Sequence, residues 1–290
     1  DPRPPNLKGR HVQLLVDYWT GNPRIARLCR QRDVPMLTEP YSAAYIQQQL
    51  SFLRVYSTWI DKPGMVLPPD HYVSDTALVS RTYPAQADKG WSGNDIDADQ
   101  VIAKVAGIDE RVAAQLGLLL HFGLRRKEAI MFFPHAAIVP AHAVPTNHPV
   151  SDQYVAFLRI KRGTKGGRLR FTAVRNAAQR QALERARSFA AFPTSHLGHP
   201  GLELKQSLKR FENVVRQVGI TKKQLGVTPH GLRHQFAGDL FFDITELQAP
   251  VRGGDPAGDP EILKAADLEV ARQLGHNRPT ISNAYLGSIV

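Results

Sequence analysis

The sequence predicts an α+β fold that is mainly α-helical, carries a small β-sheet and divides into two domains. Apolar residues recur at helical spacing through residues 41–60 and again through 202–218, which is typical of amphipathic helices packed on a core. Two runs rich in apolar and β-branched residues, 154–160 and 169–174, flank the Gly-rich segment 161–167 and predict a β-hairpin. Because strand patterns are few and helical patterns many, we expect helices to dominate.

The first domain is expected to span residues 1–95 as a small helical bundle followed by a linker. Short helices are predicted at 10–20 and 24–32, before the clearer helix described above. From residue 68 to residue 99 the helical periodicity fades, and Pro, Gly, Asp and Ser become common. That composition indicates a linker or a long surface loop.

The second domain is expected to span residues 96–290. Asp109 is a predicted N-cap, and Gly123 a predicted C-cap, of a hydrophobic helix. Thr228 followed by Pro229 predicts another helix start, with a capping residue and then proline at the first helical position. Further helices are predicted over residues 176–190, 261–274 and 279–286.

Positive charge is concentrated in the second domain. The chain holds 37 Lys and Arg against 26 Asp and Glu, a net charge of +11. Residues 1–100 hold 11 of each kind, so the whole excess lies in residues 101–290, and residues 151–200 alone hold 10 basic residues against 2 acids. Such a concentration suits a surface that meets phosphate, and the alternative interpretation is a solubilising basic face.

Composition argues against several other classes of protein. No apolar run is long enough to predict a membrane span, and no signal peptide is recognised. A single cysteine, Cys29, excludes an intrachain disulfide and a multi-cysteine zinc site, and we expect it to be buried. His135, His142 and His148 match no familiar ligand spacing, so we expect neither a metal nor another cofactor.

Residues 228–234 carry the first motif with chemical meaning. They read Thr-Pro-His-Gly-Leu-Arg-His, which places His230 and Arg233 three residues apart and therefore on one face of a helix. Helix N-termini attract anions through free N–H groups and the helix dipole. The motif predicts a phosphate site that includes a group able to move a proton. The alternative is a capped surface helix with incidental basic residues.

Four more segments surround this motif in a fixed order. Gly-Leu-Arg, ending at Arg125, is followed three residues later by Glu128. Lys165 lies in the predicted hairpin turn. Leu-Gly-His, ending at His276, comes nine residues before Tyr285. Each piece alone is weak, and the ordered set is specific.

The set resembles the tyrosine recombinases, or phage integrases. The resemblance covers residues 97–287. It implies that residues 1–95 form a helical, SAM-like core-binding domain that binds DNA, and that residues 96–290 form the catalytic domain. The implied activity is that of a site-specific DNA recombinase, which integrates or excises a mobile element through a 3′-phosphotyrosyl intermediate.

The resemblance also implies a role for each site residue. Arg125 and Arg233 would grip the scissile phosphate, since a planar guanidinium donates two parallel hydrogen bonds. Tyr285 would attack phosphorus. A phenol is a poor nucleophile near neutral pH, its ordinary pKa being about 10, so His230 would take its proton. Glu128 would orient an arginine.

Two further roles concern the leaving group and the nucleophile. Lys165 would protonate the departing 5′-oxygen. Lys161 lies in the same turn, but the family run Lys-Gly-x-basic-x-Arg matches residues 165–170, which favours Lys165. His276 would donate to a phosphate oxygen or steady Tyr285.

The implied partners are double-stranded DNA, a homotetramer on two DNA sites, and accessory DNA-bending proteins, with no membrane. The implied setting is the bacterial cytoplasm, at the nucleoid. Two alternatives remain open: a type IB topoisomerase-like DNA-relaxing enzyme and a catalytically inactive, site-specific DNA-binding protein. The helical first domain and the nine-residue spacing before Tyr285 favour the recombinase.

Two smaller expectations concern packing and loops. Tyr56 and Trp59 are assigned to the core of the first domain rather than to base stacking. Residues 133–150 and 243–262 resemble insertions relative to compact members of the family.

Overall fold

The computed structural model confirms a mainly helical chain with one small antiparallel sheet. The chain divides into two compact units, residues 1–82 and residues 83–290. The structure describes residues 6–145, 154–254, 258–276 and 278–288.

The first unit is a small helical bundle. Val12 and Val16 of its first helix and Ile46 and Leu50 of its third are fully buried against one another. The aliphatic spacing that predicts these helices therefore also marks the core of the unit. Its helices are α1 (Gly9–Trp19), α2 (Ala26–Gln31) and α3 (Ala43–Trp59).

The assignment of Trp59 to the core is wrong. Its side chain is 77% exposed, and Tyr56 is only half-buried. The inward face of α3 passes through Ile46, Leu50 and Ser57, and Ser57 is 2% exposed. Two residues further along a helix correspond to a rotation of about 200°, so Trp59 points to the opposite side.

The second unit is built around one buried helix, α5. Leu116, Leu118 and Leu119 of α5 are almost inaccessible to solvent, and the helix packs against α4, α7 and α9. A helix that is apolar on nearly all sides belongs in the centre of a domain. The helices of this unit are α4 (Ala98–Ala106), α5 (Glu110–Phe122), α6 (Arg126–Ile130), α7 (Ala177–Ser188), α8 (Leu204–Gln217), α9 (Pro229–Thr245), α10 (Pro260–Gln273) and α11 (Asn283–Leu286).

The predicted caps of α5 are both present. The Asp109 carboxylate accepts the N–H groups of Arg111 and Val112, each at 3.1 Å. Gly123 ends the helix in the left-handed conformation, with φ of 58°. At α9 the backbone start at Thr228 is as predicted, but the Thr228 side chain accepts no helix N–H.

The sheet contains the predicted hairpin and one additional strand. Strands β2 (Ala156–Ile160) and β3 (Arg170–Ala173) pair antiparallel, with Leu158 opposite Thr172. Strand β1 (Ile138–Pro140) pairs with the other edge of β2. The sequence did not predict β1, because it is short and lies among prolines that normally indicate loop.

Residues 83–95, expected in the linker, belong to the second unit and pack against the rest of it. Trp91 is fully buried, and its indole N–H donates to the Thr228 carbonyl at 2.8 Å. The Ser92 N–H donates to the Gln235 side chain at 3.2 Å. These bonds attach the segment to the start of α9.

The residues considered for metal binding do not cluster in the described part of the chain. No group of three or more His, Cys, Asp or Glu in the described part of the chain is placed to hold a metal ion, and no described helix could cross a membrane. Cys29 is a buried free thiol, as expected. The His135 ring bonds the Ala190 carbonyl, and His148 lies outside the described residues.

Asp109→Ala is expected to lower the free energy of unfolding by about 2 kcal/mol, of which about 1 kcal/mol is the lost cap. Asp109 also forms a hydrogen bond with the His199 ring at 2.9 Å and an ion pair with Arg210 at 2.6 Å. The control is Glu110→Ala, which removes an exposed acid from the same helical turn and should cost less than about 0.5 kcal/mol. Equal losses in urea denaturation would contradict the capping role.

Candidate active site

The six site residues predicted from the sequence come from separate elements of the second unit. Arg125 precedes α6, Lys165 lies in the β2–β3 loop, His230 and Arg233 lie in the first turns of α9, His276 follows α10, and Tyr285 lies in α11.

Arg233, His276 and Tyr285 form one hydrogen-bonded group. The Arg233 Nε donates to the Tyr285 hydroxyl at 3.2 Å. The His276 Nε2 lies 3.4 Å from that hydroxyl and 3.5 Å from Arg233 Nη2. Arg233 is fully buried and Tyr285 is 8% exposed, so these two side chains are shielded from water, whereas His276 is half-buried.

Backbone carbonyls fix the rest of the Arg233 guanidinium. Its Nη1 donates to the Gly123 carbonyl, and its Nη2 donates to the Leu274 carbonyl at 2.5 Å. Burial lowers the pKa of Arg233 to about 10, so it stays positively charged at neutral pH. A Cβ on Gly123 would lie 2.6 Å from the Phe236 ring, which explains the glycine of Gly-Leu-Arg.

Arg125 is held by Glu128. Its Nη1 lies 2.7 Å from one carboxylate oxygen, and its backbone N–H donates to the other at 2.8 Å. Burial raises the pKa of Glu128, but the charges of Arg170, Arg233 and Arg125 outweigh it and lower the pKa to about 2. The Arg125 side chain is 26% exposed, so it is accessible from solvent in part.

A third arginine, Arg170 at the start of β3, also bonds the Glu128 carboxylate. It is 3% exposed and donates to Glu128 at 2.7 Å, to Thr172 at 2.7 Å, to the Gly123 carbonyl at 3.3 Å, and to the Gln273 carbonyl. Sequence reasoning missed it, because an arginine in a strand is usually exposed. The available signal was its place at the end of the run that begins at the hairpin lysine.

Two histidines of α9 approach the phenol. Measured between ring centroids, His234 lies 4.8 Å from Tyr285 and 5.3 Å from His230. The centroid of the His230 ring lies 6.4 Å from that of Tyr285. The surrounding protein removes part of the water around His230, and with the Arg233 charge this lowers the pKa of His230 to about 4. Burial lowers the pKa of His234 to about 3. Both imidazoles are therefore neutral at pH 7.

His276 is neutral for the same physical reason. Burial, together with the charges of Arg233, Arg125 and Arg170, lowers its pKa to about 4. A neutral imidazole can accept one proton while it donates another, so it can bridge a phenol and an anion.

The structure does not bring Lys165 into this group. It lies in a short turn, Lys165–Gly167, is exposed, and makes no hydrogen bond or ion pair with any residue that the structure describes. Lys161 of the same loop is exposed as well, so the choice between the two lysines rests on the sequence run alone.

A family model described as "Integrase" matches residues 84–239, more than half of the chain. This chain belongs to the integrase family of tyrosine recombinases. Comparison with curated proteins returns no match. The family match includes Arg125, Lys165, His230 and Arg233, and stops before Tyr285.

Solved structures share the integrase fold at low sequence identity. The XerH site-specific recombinase bound to palindromic difH substrate, in a post-cleavage complex, has a TM-score of 0.50 at 15% identity, over 97% of this chain and 67% of XerH. A lambda integrase dimer bound to a COC′ core site has a TM-score of 0.50 at 11% identity, over 97% of this chain and 64% of that one. At these identities the likeness establishes the fold.

In this integrase, the glycine of Leu-Gly-His fits a crowded, left-handed turn. Gly275 has φ of +74°, and a Cβ there would lie 2.5 Å from the Arg170 Cδ. The end of α10 is held to β3, since Gln273 accepts hydrogen bonds from Thr172 and from the backbone of Ala173. The motif therefore delivers His276 to the site through a turn that packs on Arg170.

Gly275→Ala should destabilise the integrase more than Gly226→Ala. Both glycines have φ of +74°, but a Cβ at Gly226 would meet nothing within 4 Å. We expect about 1 kcal/mol from backbone strain at either site, and about 1–3 kcal/mol more at Gly275 from overpacking. Denaturant unfolding measures both values, and equal losses would contradict the contact with Arg170.

Proposed function

We propose that this integrase is a site-specific DNA recombinase that cleaves and rejoins duplex DNA through a 3′-phosphotyrosyl link to Tyr285, and integrates or excises a mobile element. The observation that carries the proposal is the bonded group of Arg233, His276 and Tyr285. DNA binding alone needs no phenol on a buried guanidinium. Family membership supports the same class of reaction.

Arg125 and Arg233 would bind the non-bridging oxygens of the scissile phosphate. The Arg125 side chain is 26% exposed, so it would be accessible to a phosphate, and Arg233 would exchange the Tyr285 hydroxyl for a phosphate oxygen at Nε. Negative charge grows on those oxygens in the transition state. Fixed cations in a shielded site stabilise that charge without reorganising.

In the covalent step, the Tyr285 oxygen forms a bond to phosphorus and the bond from phosphorus to the 5′-oxygen breaks. The phenolic proton passes to His230, whose lowered pKa leaves it free to accept at neutral pH. Lys165 gives a proton to the departing 5′-oxygen. His276 donates to a phosphate oxygen or steadies Tyr285. The new link conserves the bond energy, so rejoining uses no ATP, and the balance involves no metal or other cofactor.

The DNA partner follows from the charge of the second unit. All of the positive excess lies in residues 101–290, and a phosphate backbone attracts such a surface. We propose that residues 1–95 comprise a core-binding domain with its linker and that residues 96–290 comprise the catalytic domain. Four copies would then exchange strands between two DNA sites, with accessory proteins that bend the DNA.

Tyr285→Phe should abolish a covalent protein–DNA adduct while duplex affinity changes by less than about twofold, because phosphate contacts supply most of the affinity. The measurement uses nicked suicide duplexes carrying sequences from the ends of the source element, followed by denaturing gels without metal or ATP. Tyr83→Phe is the control, since Tyr83 is 70% exposed. It should leave the adduct intact.

Two other outcomes would each replace the proposal. If the wild-type protein binds the duplexes but forms no adduct, the chain is a DNA-binding protein without strand-cleaving activity. If it forms adducts on any sequence and relaxes supercoiled plasmid as a monomer, it is a topoisomerase-like enzyme.

A further inference from the structure

We propose that Arg170 is a positioning residue for strand cleavage, which holds Arg125 through Glu128 and fixes the turns that bind Arg233. The inference rests on the proposed function of the site. We assign Arg170 to positioning rather than to DNA contact, because its side chain is 2% exposed and both terminal nitrogens donate only to groups inside the protein. Arg233 is equally buried but differs in one bond, since its Nε donates to the Tyr285 hydroxyl, which a phosphate oxygen could replace.

The first link is the carboxylate that two arginines share. One Glu128 oxygen pairs with Arg125 Nη1, and the other accepts from Arg170 Nη2 and from the Arg125 backbone, each at 2.7–2.8 Å. A fully buried carboxylate is stable as an anion only with such partners. Burial raises the pKa of Glu128, and among the neighbouring charges that lower it, the charge of Arg170 has the largest effect. Without Arg170, Glu128 would protonate at higher pH and lose an acceptor for Arg125.

The second link is a pair of backbone turns. The Gly123 carbonyl accepts from both Arg170 and Arg233. Arg170 also donates to the Gln273 carbonyl, and the next carbonyl along the chain, that of Leu274, accepts from Arg233. The two guanidinium groups therefore bond the same two turns, and a shift of Arg170 would move the acceptors that orient Arg233.

Arginine suits this position because of its shape. Its planar fork presents two terminal nitrogens, and here each of them serves two acceptors. A lysine would keep the positive charge near Glu128 but has a single nitrogen, so it cannot reach both turns at once. Charge and geometry can thus be separated by substitution.

The test compares Arg170→Gln, Arg170→Lys and the control Arg168→Lys, an exposed arginine in the same loop. Single-turnover adduct formation is measured from pH 5 to pH 9 on the suicide duplexes, with duplex affinity and thermal stability alongside. Arg170→Gln should slow cleavage on the order of 10–100-fold, as the loss of an orienting partner typically does. It should also gain an acid limb, because Glu128 then loses its charge as the pH falls.

Arg170→Lys should recover the wild-type pH profile but only part of the rate, and Arg168→Lys should match the wild type. Arg170→Gln should cost less in an Arg125→Lys background, since residues that act through one another are not additive. A loss of stability with an unchanged pH profile and additive rates would overturn the positioning role. If the glutamine variant does not fold, the positioning role is tested with Arg170→Lys instead. The cleavage rates of Arg170→Lys, Arg125→Lys and the double variant then form the double-mutant cycle.

A readout that does not depend on cleavage separates this inference from the proposed function. In ¹⁵N-labelled protein, the Arg125 side-chain N–H signals should be sharp in the wild type and broadened in Arg170→Lys. If the wild type forms no adduct, the proposed function fails while these signals still report on Arg170. If the adduct forms and the signals are unchanged by the substitution, the positioning role is wrong and the proposed function stands.

Discussion

The arrangement of the site depends on one buried carboxylate among three guanidinium groups. Glu128 bonds Arg125 and Arg170 directly, and Arg233 lies close enough to lower its pKa further. Three positive charges against one negative charge leave an excess that burial makes costly. A bound phosphate would supply the missing negative charge. The same excess explains why the neighbouring histidines are neutral, because cations and burial both disfavour an imidazolium.

Short-range chemistry made most of the fold and several site residues predictable. Spacing within one helix predicted that His230 and Arg233 share a face, and the caps Asp109 and Gly123 follow from local backbone needs. The prediction that Trp59 lies in the core was wrong, because helical spacing shows only which residues share a face. The packing of other elements decides which face is buried.

What the sequence could not predict is long-range. Arg170 reaches the Gln273 carbonyl 103 residues away, and Trp91 bonds the Thr228 carbonyl 137 residues away. No periodicity encodes such contacts, and the amino-acid composition around Trp91 favoured a linker. Lys165 shows the opposite case, since its sequence run singles it out but the free protein leaves it exposed, without a bond to described residues. In the proposed reaction its partner is the leaving oxygen of the DNA.

The bonds of Arg233 connect phosphate binding to release of the nucleophile. Each of its three nitrogens already donates, Nη1 and Nη2 to backbone carbonyls and Nε to the Tyr285 hydroxyl. Arg170 also donates to the Gly123 carbonyl and to the Gln273 carbonyl, which precedes Leu274 in the chain. These bonds hold both turns in place, so the two carbonyls stay bonded to Arg233. The phenol sits on a four-residue helix and is the acceptor that can be exchanged. A phosphate oxygen that takes Nε would therefore free the Tyr285 oxygen beside the phosphorus that it is proposed to attack.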